Sequence, residues 1–458
     1  MTEMRFDRAM SDAEGLMWRL EKDPHLSSTF GTVTILDRTP DFDTVRRRMD
    51  RAAMAIPRLR QRVMPAPANL SPPIWVDDPD FDIDLHVRRI ACPKPGSLRQ
   101  VLDLAALCMA DPFDRTRPLW QFTVVEGIRG GKAAVIQKMH HTITDGERGV
   151  ELSRQYLDFE RDAPEPPPID PDDIDYVEPP ETGTADSIRE FVIGSIRIPI
   201  GIAKQVRELL GDPAGIPAAS SAAARTAKGI VSQLSAEHAR SPLWTQRSLK
   251  RTVHPARVPF TETKEAAKRL GGTLNTAFLT ASAHAASLYH EEMGSPVEAL
   301  RASMAISTRT KDSGSNAFSI VRILAPTGEM PIAERFLAIQ EATLIGREVN
   351  AAAGLDTLAT VASTLPTSLI TRLARQQGQT IDFATSNVKG SPIPCFIAGS
   401  QILEIYPIGP LGGVAFNLTL MSYLGSLDMA LNIDTAAVAE PALLTDCLQR
   451  SFKELARV

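Results

Sequence analysis

The chain has 458 residues, 43% of them hydrophobic, and a formal net charge of −5. That length and apolar content fit a globular protein of about two domains with sizeable cores. A sequence pI of about 6.0 lacks the basic surplus of a nucleic-acid binder, and 5% aromatic residues leave little for base stacking. Cys92, Cys108, Cys395 and Cys447 form no C-x-x-C pair and no zinc pattern, and read as free thiols of a reducing, cytoplasmic compartment. The first residues are charged throughout and lack the apolar centre of a signal peptide. No apolar run is long enough to span a bilayer.

A first zone runs to about Arg161. Residues 29–36, TFGTVTIL, are rich in β-branched types and read as a strand. Asp43–Ala55 has helical spacing, with Val45, Met49 and Ala52 on one face. Residues 75–90 alternate apolar and charged side chains and read as one strand. Ser97 is a plausible N-cap for an amphipathic helix to Ala110. Residues 119–128 and 132–139 are two strands joined by Arg129-Gly130-Gly131. The second strand runs straight into His140 and His141, and a helix begins near Gly146 and reaches Tyr156.

Residues 162–241 form a second zone. It opens proline-rich and acidic at 162–184, which predicts an extended or disordered linker. Ile188–Leu210 then sets Arg189, Arg197, Lys204 and Arg207 among aliphatic residues. It reads as a helix packed on the protein or as a basic segment lying on an anionic surface. The third zone, 242–458, has helices at Thr273–Tyr289, Pro331–Asn350 and Pro441–Ala456. Its strands fall at 300–307, 319–326, 383–388, 401–407, 414–424 and 426–434. Both halves mix helices with non-alternating strands, which predicts two α/β sandwiches.

The most informative stretch is KMHHTITDGERGV at 138–150. A fixed H-H-x-x-x-D-G arises by chance in roughly one chain per thousand of this length. Neutral imidazole is the natural proton acceptor near pH 7, and the pattern suits base-catalysed attack of a hydroxyl or amine on a thioester. The chemistry calls for one positioned base, which leaves the other histidine of the pair in a supporting role. Gly146 permits close backbone approach, or simply starts the helix. The remaining histidines have no motif around them; His284, inside a helix, reads as a satisfied core or surface residue.

At this point the chain resembles the bacterial wax ester synthase/diacylglycerol acyltransferase family. That family lies within the superfamily of chloramphenicol acetyltransferases and condensation domains. The resemblance rests on residues 10–18, 81–88, PFDRTRPLW at 112–120 and HHTITDG at 140–146. It continues through TLNTAFLTA at 273–281, AISTRT at 305–310, SNVKGSP at 386–392 and the stretch from Tyr406 to Gly425. It implies an α/β fold of two chloramphenicol-acetyltransferase-like sandwich domains, with the active-site tunnel between them.

The implied activity is transfer of a long-chain acyl group from acyl-CoA to diacylglycerol, or to a fatty alcohol to give a wax ester. His141 would be the general base, and no metal or prosthetic group is implied. Asp145 could orient His141 as part of the catalytic set or hold the loop; in the superfamily its equivalent pairs with an arginine and is structural, and Arg309 is the candidate partner. Asn275 and Asn387 match family positions expected at the site, and Asn417 and Tyr423 match positions expected to line the acceptor side. Thr276 stands where the family has aspartate, and Lys389 where proline is common. Pro118, Leu119 and Trp120 are expected to shape the domain core and the tunnel wall, a structural role. Two readings stay beside this one: acylation of another lipid hydroxyl, and a catalytically weak member that binds acyl chains or lipid droplets. A membrane or lipid-droplet surface is also an expected peripheral partner of the enzyme.

Overall fold

The computed structural model describes residues 6–65, 72–144, 146–170, 174, 176–177, 239–307, 318–351 and 367–458. The N-terminal part runs α1 (Asp12–Leu20), β1 (Thr29–Leu36), α2 (Phe42–Ala55), β2 (Gln61–Met64) and β3 (Ile74–Asp77). It continues through β4 (Val87–Ala91), α3 (Leu98–Ala110), β5 (Trp120–Glu126), β6 (Ala133–His140) and α4 (Gly146–Ser153). The second part runs β7 (Arg251–Pro259), α5 (Phe260–Arg269), α6 (Leu274–Glu292), β8 (Ala299–Ser307), β9 (Phe318–Pro326) and α7 (Ile332–Ala351). It ends with α8 (Thr367–Gln379), β10 (Phe383–Val388), β11 (Phe396–Ile397), β12 (Ser400–Ile408), β13 (Phe416–Tyr423), β14 (Ser426–Asp434) and α9 (Pro441–Arg457).

Among the described residues, the strands form two six-stranded mixed sheets and the β2–β3 pair. The first sheet has the order β11-β12-β1-β6-β5-β4 and the second β7-β14-β13-β10-β8-β9. Residues 396–408 belong to the second half of the chain yet complete the first sheet, with β12 antiparallel to β1. The stretch 75–90, expected as one strand, is two. Its aspartates bend the chain locally: Asp78 accepts from the Asp80 N–H at 3.2 Å and Asp82 from the Asp84 N–H at 2.9 Å. Such side-chain turns compete with ladder pairing, and Pro79 cannot donate to a ladder.

The seam between the sheets is apolar. Val33, Ile35, Ala134 and Ile136 of the first sheet share a buried cluster with Val253 of β7 and Ala430 of β14. Val101, Leu102, Ala105 and Met109 of α3 fill it. Burying each larger side chain contributes about 1.5–3 kcal/mol, so the seam is a rigid frame. Gly31 makes the close approach possible: a Cβ there would meet the Gln137 carbonyl at 2.2 Å and Met109 Cε at 2.5 Å. In the second unit α6 is buried on nearly every side. Its hydroxyls return to the helix backbone, Thr280 to the Thr276 carbonyl and Ser282 to that of Phe278, each at 2.7 Å.

The opening of the linker has no regular secondary structure and runs beside the arginines of α2. Arg51 donates to the Pro167 carbonyl at 2.7 Å, and Arg47 faces Glu165 at 3.5 Å. The amphipathic stretch 188–210 lies outside the described residues. No helix among the described residues is long and apolar enough to cross a membrane.

Candidate active site

The two motif histidines follow the period of a strand. On β6, Ala134 and Ile136 face the seam, while Val135 and Met139 face the opposite core. Alternation sends His140 and His141 to opposite faces. The ladder continues one bond past β6, since the His141 N–H donates to the Ser28 carbonyl at 3.1 Å. The half-buried His141 ring lies 4.5 Å from that of Phe30, which packs on the same core as Met139.

His140 is fully buried and held on both ring nitrogens. The Thr142 N–H donates to its Nδ1 at 3.1 Å, and the Thr142 hydroxyl lies 2.7 Å away. The ring proton therefore falls on Nε2, which donates to Glu21 Oε2 at 3.0 Å. Glu21 also accepts from the Ser28 N–H and the Ser27 hydroxyl, both at 2.6 Å, and from Thr29 Oγ1 at 3.4 Å. Burial alone would raise the Glu21 pKa. The His140 contact and the Ser27 and Ser28 donors outweigh it and hold the carboxyl below its ordinary range.

Cations surround this pair. Buried Lys138 donates to the Asp111 carbonyl at 2.6 Å and lies over the Phe113 ring at 4.3 Å. The Arg115 guanidinium lies 3.5 Å over Trp18 and donates to the Trp18 carbonyl at 2.9 Å. Burial lowers the pKa of Lys138, Arg115 and Arg251, and the Glu21 charge opposes that lowering in all three.

The other candidates divide. Asn275, in the first turn of α6, accepts from Nδ2 of Asn387 near the end of β10, so two separate sequence blocks meet. Thr276 serves the same helix end: its N–H donates to Thr273 Oγ1 at 3.2 Å. Asn417 stands apart from that pair. It donates to the Pro410 carbonyl at 2.7 Å and accepts from Thr419 at 3.0 Å, fixing the chain where it leaves β12. A Cβ on Gly409 would strike the Asn417 amide at 2.8 Å. Gly146 opens α4, while Asp145 and Arg309 lie outside the described residues, and with them the expected pairing.

Tyr423, expected to line the acceptor side, is buried instead. Its hydroxyl donates to the Ile402 carbonyl and accepts from the Cys395 N–H, both at 3.0 Å. Trp120 is in the core as expected, with Nε1 donating to the Leu59 carbonyl at 2.7 Å and its ring 4.7 Å from His86. Lys389 is exposed. The residue that sequence reasoning missed is Glu21. A lone glutamate after a short helix carries no local signal, and its importance comes from a partner 119 positions away.

The comparisons agree with this architecture. Residues 10–278 match the wax ester synthase/diacylglycerol acyltransferase catalytic domain, and residues 314–456 the C-terminal domain of the same family. A Mycobacterium tuberculosis protein provisionally named a diacylglycerol O-acyltransferase is 32% identical, over 98% of this chain and 92% of its own. A second from that species, with a similar provisional name, is 25% identical over 97% and 94%.

Among solved structures, the wax ester synthase/diacylglycerol acyltransferase of Marinobacter aquaeolei shares the fold. Its TM-score is 0.68 at 19% identity, covering 99% of this chain and all of that one. A starter condensation domain of rhizomide synthetase, solved with C8-CoA, has a TM-score of 0.57 at 11% identity, covering 98% and 94%. The chain belongs to the wax ester synthase/diacylglycerol acyltransferase family and is an acyltransferase.

Proposed function

We propose that this enzyme transfers a long-chain acyl group from acyl-CoA to the free hydroxyl of diacylglycerol, forming triacylglycerol, with His141 as the general base. The observation that supports the reading is the different setting of the two histidines at the strand end. His140 is locked between Glu21 and Thr142, while the His141 ring stays half-buried on the other face. The relatives' names support the acceptor, and the C8-CoA complex of a protein with this fold supports the donor.

In this reading His141 takes the acceptor's hydroxyl proton as the oxygen attacks the thioester carbonyl. The tetrahedral intermediate collapses, the C–S bond breaks, and the CoA thiolate recovers the proton from the imidazolium. No covalent acyl-enzyme is needed, and a tunnel between the two units would exclude the water that hydrolyses thioesters. Asn275 and Asn387 would shape the site from the second unit, Arg309 would tie Asp145 across, and Gly146 would give the substrate room.

The test is CoA release from palmitoyl-CoA with diacylglycerol, hexadecanol or no acceptor, beside His141→Ala. Release that needs diacylglycerol and His141 supports the proposal. Release only with hexadecanol makes the enzyme a wax ester synthase, and release without acceptor counts against transfer.

A water-insoluble acceptor would be met at a bilayer or droplet surface, for which the basic stretch 188–210 is the candidate contact. Liposome binding unchanged after replacing Arg189, Arg197, Lys204 and Arg207 by glutamine would exclude it.

A further inference from the structure

We infer that Glu21 is the positioning residue of the active site, holding both histidines in place through hydrogen bonds. This rests on the transferase reading above and adds a residue outside the HHxxxDG element.

The carboxylate is saturated. Oε1 takes the Ser27 and Thr29 hydroxyls, and Oε2 takes the Ser28 N–H and His140 Nε2–H. Four donors match the lone-pair capacity of one carboxylate. Two routes lead from it to the histidine pair. One is direct, to the His140 ring. The other passes through residue Ser28, whose N–H Glu21 holds at 2.6 Å and whose carbonyl, in the next peptide group, accepts the His141 N–H at 3.1 Å. The base's own backbone thus hangs from the residue that Glu21 fixes.

Glu21 is in turn held by the body of the protein. Two residues on, Asp23 pairs with Arg375 of α8, with Arg375 Nη2 at 2.7 Å from Asp23 Oδ1 and 2.9 Å from His25 Nδ1. α8 comes from the second half of the chain, so the carboxylate is set against the frame that also carries Asn387. The buried His140 cannot reach substrate from the face it occupies without leaving Glu21 and Thr142. Its contribution and that of Glu21 are therefore geometric: they decide where His141 stands.

Glutamine separates geometry from charge at this position. Its carbonyl can keep the Ser28 and His140 bonds while its NH₂ faces hydroxyls that rotate to accept. Alanine removes all four bonds. Turnover of palmitoyl-CoA with diacylglycerol is measured for wild type, Glu21→Gln and Glu21→Ala, with melting curves and ¹H–¹⁵N spectra of imidazole-labelled protein. A shift of about 1 Å at a reacting group costs on the order of 100-fold, so Glu21→Ala should lose about that much in kcat with little change in acyl-CoA KM. Glu21→Gln should recover most of the loss.

The wild-type spectrum should show a protected His140 Nε2–H, assigned by its loss in His140→Gln. That signal should persist in Glu21→Gln and vanish in Glu21→Ala. Full kcat per folded molecule in Glu21→Ala would overturn the inference. So would a folded Glu21→Gln as slow as alanine, since charge and not placement would then matter. A wild type inactive with every acceptor would instead remove the transferase reading, and the imidazole signal would still decide whether Glu21 holds His140.

Discussion

Two of the places where histidines are buried differ in what burial leaves over. In α6, His290 donates from Nδ1 to the Ala286 carbonyl and accepts at Nε2 from the Ser241 hydroxyl, both at 2.7 Å. His284, on the same helix, meets Glu454 at 3.1 Å. Both are absorbed by packing, and burial lowers both pKa values. At the end of β6 the period of two places one histidine in the interior and leaves its neighbour half-buried on the other face. Adjacent histidines on a strand end can thus divide support from chemistry, which isolated helix histidines locked in a core cannot do.

The sharpest way to break that contrast is to remove one histidine from each place. Loss of a positioned base costs about 10²–10⁴ in rate, so His141→Ala should fall by that factor in kcat with its melting curve unchanged. His284→Ala should retain wild-type turnover per folded molecule. Equal losses in the two variants would mean that packing, and not chemistry, governs both.

The interior histidines sharpen the same contrast on stability. His140→Ala leaves the Glu21 carboxylate short of a donor, and His290→Ala leaves the Ser241 hydroxyl without its acceptor. An unsatisfied buried group costs about 1–3 kcal/mol, with the charged case at the upper end. Chemical denaturation should show both losses. Only His140→Ala should also lower kcat.

Much of this was legible because the signals were local. β1 at 29–36 and the helix after Ser97 follow from β-branched content and a cap, and the capping box at Ser97–Gln100 is present. The strand carrying His140 was readable from its apolar run and the glycine turn before it. What was not legible depends on partners far away in sequence. β12 joins the first sheet from the second half, Glu21 reaches His140, and Asn387 reaches Asn275. The Asp-rich stretch after β3 misled because alternation was counted without the side-chain turns that aspartates make.

Acid separates the two places by pH. Histidines whose folded pKa is depressed stay neutral while the unfolded chain gains protons, so His284 and His290 withdraw stability as pH falls below about 6.5. Glu21 acts in a lower window. Its folded pKa is depressed, so its contribution is complete above about 4.3 and is lost as pH falls through the folded value. The groups facing it, His140, Arg115, Lys138 and Arg251, all favour the charged form. Melting temperatures across this range should decline in two stages, and Glu21→Gln should flatten only the lower one. Flattening of the upper stage instead would place the buried carboxylate among the groups titrating near neutrality.

The smallest expected effect concerns the second unit's contribution to the site. Asn387 donates to Asn275 between the end of β10 and the first turn of α6, both partly accessible to water. A net hydrogen bond of this kind stabilises by about 0.5–1.5 kcal/mol, so Asn387→Ala should barely move the melting curve. Any loss of turnover beyond that would report on the site. If the amide pair only joins β10 to α6, kcat and both KM values stay near wild type in Asn387→Ala and in Asn275→Ala. If it shapes the acceptor side, the two variants should raise the diacylglycerol KM together, and the double variant should add little to either. Strict additivity would show that the two amides act separately, despite the bond between them.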